Sequence, residues 1–210
     1  MNRKLIFEFL ILFVAVPVSL VFDMLIWFKL AAIVIALVYL IIQMRKAHSV
    51  TFSIEKEMDW KLFWKRTIIT FVLIAVITIT FVWYTKPSAL FLMPLAKPWM
   101  YVTILFVYSL FSVWPQEIVY RTFFFERYKP LFKNEKVLIF ANAFVFSLAH
   151  LFFKNTLVLL LTFVGGILFG FTFLKFKSTT AVTIEHAVYG NWLFTVGMGQ
   201  MLGFPGIEGV

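Results

Sequence analysis

Seven apolar stretches follow one another along this chain, each close to the thickness of a bilayer and separated by short polar breaks. They run roughly over 5–22, 25–43, 67–85, 99–127, 137–153, 156–174 and 179–198. A helix that crosses the hydrocarbon core takes about 20 residues. The 210 residues therefore hold about seven spans and no separate soluble domain. Composition agrees: 62% of the residues are hydrophobic and 14% charged, against about 45–50% and about 25% in a soluble domain. Disorder is excluded as well, because it needs low hydrophobicity. The expected fold class is all-α, a polytopic helical membrane protein with about seven transmembrane helices around a polar intramembrane cavity. Residues 1–210 read as one membrane domain, made of N-terminal spans over 1–98, a second half over 99–198 and a short Gly-rich tail over 199–210. No internal repeat is evident. The first stretch follows Met1-Asn2-Arg3-Lys4 but lacks a small-x-small cleavage site, so it reads as a retained span.

The formal net charge is +9. In a soluble protein that would suggest nucleic acid. Here the distribution of the charge explains it, and no nucleic-acid partner is expected. With Arg3 and Lys4 placed on one side, fifteen Lys and Arg fall on that side and four (Lys29, Lys86, Lys97 and Lys154) on the other. Cytoplasmic loops carry such an excess, which predicts the N-terminus in and the C-terminus out. Trp27, Trp83 and Trp99 fall at outer span ends, where an interfacial belt would place them. The polar segment 44–66 carries Met58, Trp60, Leu62, Phe63 and Trp64 among Lys and Glu. It predicts an amphipathic helix over 53–66 on the inner leaflet, with Ser53 as N-cap and Glu55 and Glu57 in its first turn.

Ionisable groups inside a bilayer are costly, and each requires a reason. Glu8 lies one helical turn from Lys4, which predicts a local ion pair or a snorkelling side chain. Glu117, Arg121, His150, Glu185 and His186 have no such simple account. At about 1.5 Å per residue, Glu117 lies about 15 Å from the inner anchor Arg127, His186 about 13 Å from Lys177 and His150 about 21 Å from Lys136. Three helices thus place a Glu and two His at similar depths, which predicts one shared polar site. Glu117 and Arg121 are spaced i, i+4 with the Glu N-terminal, the favourable order for an ion pair. Pro115 removes the helical bond to Phe111 and predicts a kink beside the Glu. Asn142, Phe146 and His150 form an i, i+4, i+8 row. Gly166-x-x-x-Gly170 predicts close helix packing.

A buried Glu with two His suits hydrolysis or ion movement. The chain has no Cys, which removes disulfides, thiolate metal sites and a cysteine nucleophile. An aspartyl dyad would need two intramembrane Asp, but Asp23 sits at a boundary and Asp59 in a loop. The zinc signature H-E-x-x-H is absent, and no cofactor or metal is expected. Ser147 stands between Phe146 and Leu148, a poor setting for a serine nucleophile. What is left is a carboxylate that activates water with help from His, and a second His that serves the oxyanion.

Three motifs carry a resemblance. Gln116-Glu117-Ile118-Val119-Tyr120-Arg121 resembles E-E-x-x-x-R, Phe146-Ser147-Leu148-Ala149-His150 matches F-x-x-x-H, and His186-Ala187-Val188-Tyr189-Gly190-Asn191 is similar to H-x-x-x-N. In this order and on three spans, they resemble the CAAX protease and bacteriocin-processing (CPBP) family of glutamate intramembrane proteases over about 99–198. The resemblance implies a water-accessible cavity within the bilayer and an intramembrane endopeptidase acting on a peptide or membrane-protein substrate. It implies Glu117 and His150 as the water-activating pair, His186 with Asn191 on the oxyanion side, and Arg121 ordering the carboxylate. The expected location is a bacterial cytoplasmic membrane.

Two positions depart from the pattern. Gln116 stands where the motif has its first Glu; it has no titratable proton, so the base role is predicted for Glu117 and only a supporting one for Gln116. Asn191 comes one residue late, with Gly190 in the motif's Asn position. A π-type bulge at Gly190 is predicted to return Asn191 to the face of His186; the alternative is a regular helix in which Tyr189 or water assists His186 and Asn191 merely packs. The alternatives are a non-catalytic immunity or scaffold protein of the same family, and a proton-coupled transporter using Glu117, His150 and His186 as a relay.

Overall fold

A computed structural model describes residues 3–47 and 58–199. Among them there are helices and no strands. Helix α1 joins Arg3–Leu10, a π segment Ile11–Ala15 and Val16–Ser19. Then come α2 (Ile26–Ala47), α3 (Trp60–Thr85), α4 (Leu92–Ala96) and a long helical run, α5 (Pro98–Leu131). After these follow α6 (Glu135–Leu148), α7 (Thr156–Phe176) and α8 (Thr179–Val196). The protein is an all-α polytopic membrane protein.

Five helical stretches of the described residues are long and apolar enough to cross a membrane: Ile26–Lys46, Trp60–Thr85, Pro98–Leu131, Glu135–Phe153 and Thr156–Phe176. The expected count was seven. The first and last expected spans are helical but fall outside the five. The first is helical only over Arg3–Ser19, 17 residues, and the last carries Glu185, His186 and Asn191 within 18 residues. On α2 and α3, Trp27, Ile35, Ile69 and Leu73 are among many exposed large apolar side chains. Water would penalise that surface, whereas lipid accepts it.

The polar segment differs from its sequence reading. Residues 60–66 are the opening turns of α3, not a separate surface helix. Its N-cap is Asp59, whose carboxylate accepts from the Leu62 N–H at 2.8 Å. Ser53, Glu55 and Glu57 lie outside the described residues, as does the tail beyond Gly199.

The chain forms two compact units. One comprises 1–53 and 118–174, the other 54–117 and 175–210. In the first, Phe13 is buried and packs edge-on against Tyr120, Phe124 and Tyr128, with ring centroids 5.2–5.5 Å apart. Gly166 of α7 lies against α6; a Cβ there would sit 2.7 Å from the Ala143 Cα, so the helices approach as closely as the small-residue spacing predicted. Glu8 is held differently from the local Lys4 pair expected. Its carboxylate accepts from Arg127 Nε (2.8 Å) and Nη2 (2.7 Å), the Tyr128 hydroxyl (2.9 Å) and the Tyr39 hydroxyl (2.8 Å). A two-pronged guanidinium contact is geometrically specific and stronger than a neutral hydrogen bond. It ties α1 to α2 and to the end of α5.

In the second unit, Phe63 is fully buried against Trp60, Trp64 and Phe176. Helix α8 lies along α3: Trp192 Nε1 donates to Thr78 Oγ1 at 2.8 Å. It ends at Gly197, whose φ of 103° suits glycine.

Candidate active site

The helical run α5 holds two π segments, Tyr108–Val113 and Ile118–Phe123, with one α turn, Trp114–Glu117, between them. The Trp114 N–H reaches back five residues to the Ser109 carbonyl. Pro115 cannot donate to Phe111, and the change of register comes just before it. The irregularity that the sequence placed at Gly190 is thus found around Glu117 instead. Helix α8 is α-helical from Thr179 to Val196, so no bulge exists at Gly190. Such π turns often mark functional sites.

Within the second unit, Glu117 is fully buried, and its Oε1 lies 2.7 Å from His186 Nδ1. An ionised carboxylate only accepts, so with Glu117 ionised the proton of this bond is on Nδ1. On the other side of the ring, His186 Nε2 is 3.2 Å from the Tyr108 hydroxyl. In the neutral ring Nε2 has the lone pair and the hydroxyl donates to it; in the charged ring Nε2–H donates to the phenol oxygen. The Tyr108 ring is braced edge-on against Phe194 at 5.1 Å. Glu117, His186 and Tyr108 therefore form one hydrogen-bonded row.

Asn191 does not point to this row through a bulge. Its Nδ2 donates to Ser109 Oγ at 3.0 Å, and Ser109 in turn donates to the Leu105 carbonyl at 2.7 Å. Asn191 thus anchors the π segment that begins at Tyr108. Gln116 Nε2 donates to Ser112 Oγ in the same segment at 2.9 Å. Glu185, also buried, accepts from the Tyr189 hydroxyl one turn along α8 at 3.0 Å.

In the first unit, Arg121 is fully buried. It donates to Asn142 Oδ1 at 2.9 Å and lies over the Phe146 ring, 4.7 Å from its centroid. Asn142 Nδ2 donates to the Tyr120 carbonyl at 2.7 Å. Asn142 therefore serves Arg121 and the backbone of the first motif, although it shares a helix row with His150. His150 is half-buried at the end of α6, with Nδ1 2.8 Å from the Phe146 carbonyl. A carbonyl only accepts, so Nδ1 holds the proton and Nε2 is the basic nitrogen of the neutral ring. Ser147 donates its hydroxyl to the Leu159 carbonyl at 2.8 Å, a structural use that fits its poor credentials as a nucleophile.

Of the sequence-predicted residues, the structure joins Glu117 with His186, Asn191 with Ser109, and Arg121 with Asn142. No group of three or more His, Asp or Glu suited to a metal occurs among the described residues. Tyr108 was missed by the sequence reading. The signal for it was Gly190: a motif position without a side chain calls for another group in the space it leaves.

A carboxylate–imidazole pair is thus buried between two helices of a multi-pass membrane protein. The family described as type II CAAX prenyl endopeptidase Rce1-like matches residues 98–193, a little under half of the chain. The match covers all three motifs, and the family is one of CAAX-type proteases. No curated protein and no solved structure matches the chain.

Proposed function

We propose that this protein is an intramembrane endopeptidase that cleaves a peptide bond with activated water. The observation that carries the proposal is the buried Glu117–His186 pair, formed by residues of the first and last motifs. An ionised carboxylate accepts at about four lone-pair sites, so one group can hold His186 and take a proton from water. Glu117 is the proposed base. The proposal for His150 as its helper rests on the F-x-x-x-H motif and on its basic Nε2. Arg121 and Asn142 support the motif backbone, and Gln116 and Asn191 brace the π segment.

The step balances simply. Water adds to the carbonyl carbon and gives a proton to the base, while the C=O π pair moves onto oxygen. Collapse re-forms C=O and breaks C–N, and the nitrogen leaves with the proton. The substrate is proposed to be a peptide or membrane protein entering from the bilayer. The membrane is proposed to be a bacterial cytoplasmic membrane, with the N-terminus in and the C-terminus out, on the charge distribution described above.

The test uses the purified full chain in detergent and an internally quenched, prenylated CAAX peptide, the substrate type in the family's description. Cleavage by the wild type and its loss in Glu117→Ala are expected. Proton flux in proteoliposomes without cleavage would instead select the transporter reading.

A further inference from the structure

We infer that the Tyr108 hydroxyl is the hydrogen-bond donor to the oxyanion in this protein, working in the space left by Gly190. The inference rests on the peptidase reading above. Three observations meet at this residue. Its hydroxyl lies 3.2 Å from His186 Nε2. A Cβ at Gly190 would collide with that same hydroxyl. Gly190 stands four residues after His186, so the two share a face of α8, turned only about 40° from one another. The resembled H-x-x-x-N motif carries an amide side chain at this position, and the chain fills that space with a phenol from α5.

The two other candidate donors are held by other partners. His186 has Nδ1–H committed to Glu117, so its neutral ring has no proton at Nε2 to offer an oxyanion. Asn191 turns its amide to Ser109 of the π segment, where one of its two N–H groups is bonded. Tyr108 has an O–H and belongs to the row that ends on the carboxylate. With His186 neutral, the Tyr108 O–H rests on the Nε2 lone pair, and it turns from Nε2 to the carbonyl oxygen as the π pair moves onto that oxygen. The charge built on that oxygen is then held by the Tyr108 O–H, while the proton from water sits on the base. On collapse the electron pair returns to C=O and the phenol keeps its proton. Asn191 is a positioning residue in this scheme: through Ser109 it fixes the π segment from which Tyr108 projects.

The experiment measures kcat and KM for the quenched prenylated CAAX peptide with the full chain. Tyr108→Phe removes one oxygen and keeps the ring packed on Phe194. Removing one oxyanion donor costs about 10²–10³ in kcat. That loss is expected here, with KM changed less than about threefold, because the bond strengthens in the transition state. Gly190→Asn in a Tyr108→Ala background returns an amide donor to the vacated space. It is expected to exceed Tyr108→Ala alone by about tenfold, part of what one donor contributes. An active wild type that is inactivated by Glu117→Gln, alongside a Tyr108→Phe with full kcat, overturns this inference alone. An inactive wild type overturns the peptidase reading and this inference with it.

Discussion

Glu117 Oε1 and His186 Nδ1 stand 2.7 Å apart, although 69 residues of sequence separate them. Each would be expensive to bury alone, so each gives the other its reason to be in the membrane. The pair also makes the two residues one unit, and what is done to one reaches the other.

That coupling is measurable. Glu117→Gln removes the charge that holds His186 Nδ1–H and the proposed base together. It should lower kcat by about 10²–10⁴, the usual worth of a positioned acid–base group. His186→Ala should cost a similar factor. The double variant should be less than about tenfold worse than the weaker single, because residues acting as a unit are non-additive. Steady-state kinetics of the four proteins decide it; fully multiplicative losses would separate the two roles.

Asn191 should matter to the fold more than to the chemistry. Its bond to Ser109 is one part-buried hydrogen bond, with a net contribution of about 1 kcal/mol. Asn191→Ala and Ser109→Ala should each lower the melting temperature slightly. Together they should do little more than either alone, since both delete the same bond. Cleavage by Asn191→Ala should stay within about tenfold of wild type, the factor that about 1.4 kcal/mol represents.

The Glu8 cluster predicts a stability effect away from the chemistry. Glu8→Ala leaves Arg127, Tyr39 and Tyr128 without their common acceptor. The Arg127 side chain is one-third exposed, so solvent moderates the loss to about 2 kcal/mol. Thermal unfolding in detergent should show Glu8→Ala clearly below Lys4→Ala, because the carboxylate is bound by Arg127 and not by a neighbour on its own helix.

The proposed orientation is open to direct labelling, because the sequence has no Cys. Lys136→Cys should react with a membrane-impermeant maleimide only from the cytoplasmic side, and Lys154→Cys only from outside. Both side chains are exposed. The reverse pattern would overturn the charge-based assignment.

Sequence alone determined the environment and the cast. Stretches near 20 apolar residues and a one-sided basic excess define a multi-pass helical protein, since bilayer thickness and the cost of charge in lipid act on any chain of this composition. The same cost singles out Glu117, Arg121, His150 and His186, all of which lie in the segment that the Rce1-like family matches. Tertiary structure decided who meets whom. Glu8 took Arg127, 119 residues away, over Lys4 one turn away. Pro115 announced the irregular turn beside Glu117, but only the assembled structure shows that helix α8 stays regular at Gly190. Tyr108 came to stand where Gly190 has no side chain. Helical periodicity fixes which residues share a face of one helix. The rotation of that face toward a distant partner depends on π insertions and on packing, which are settled only when the helices assemble.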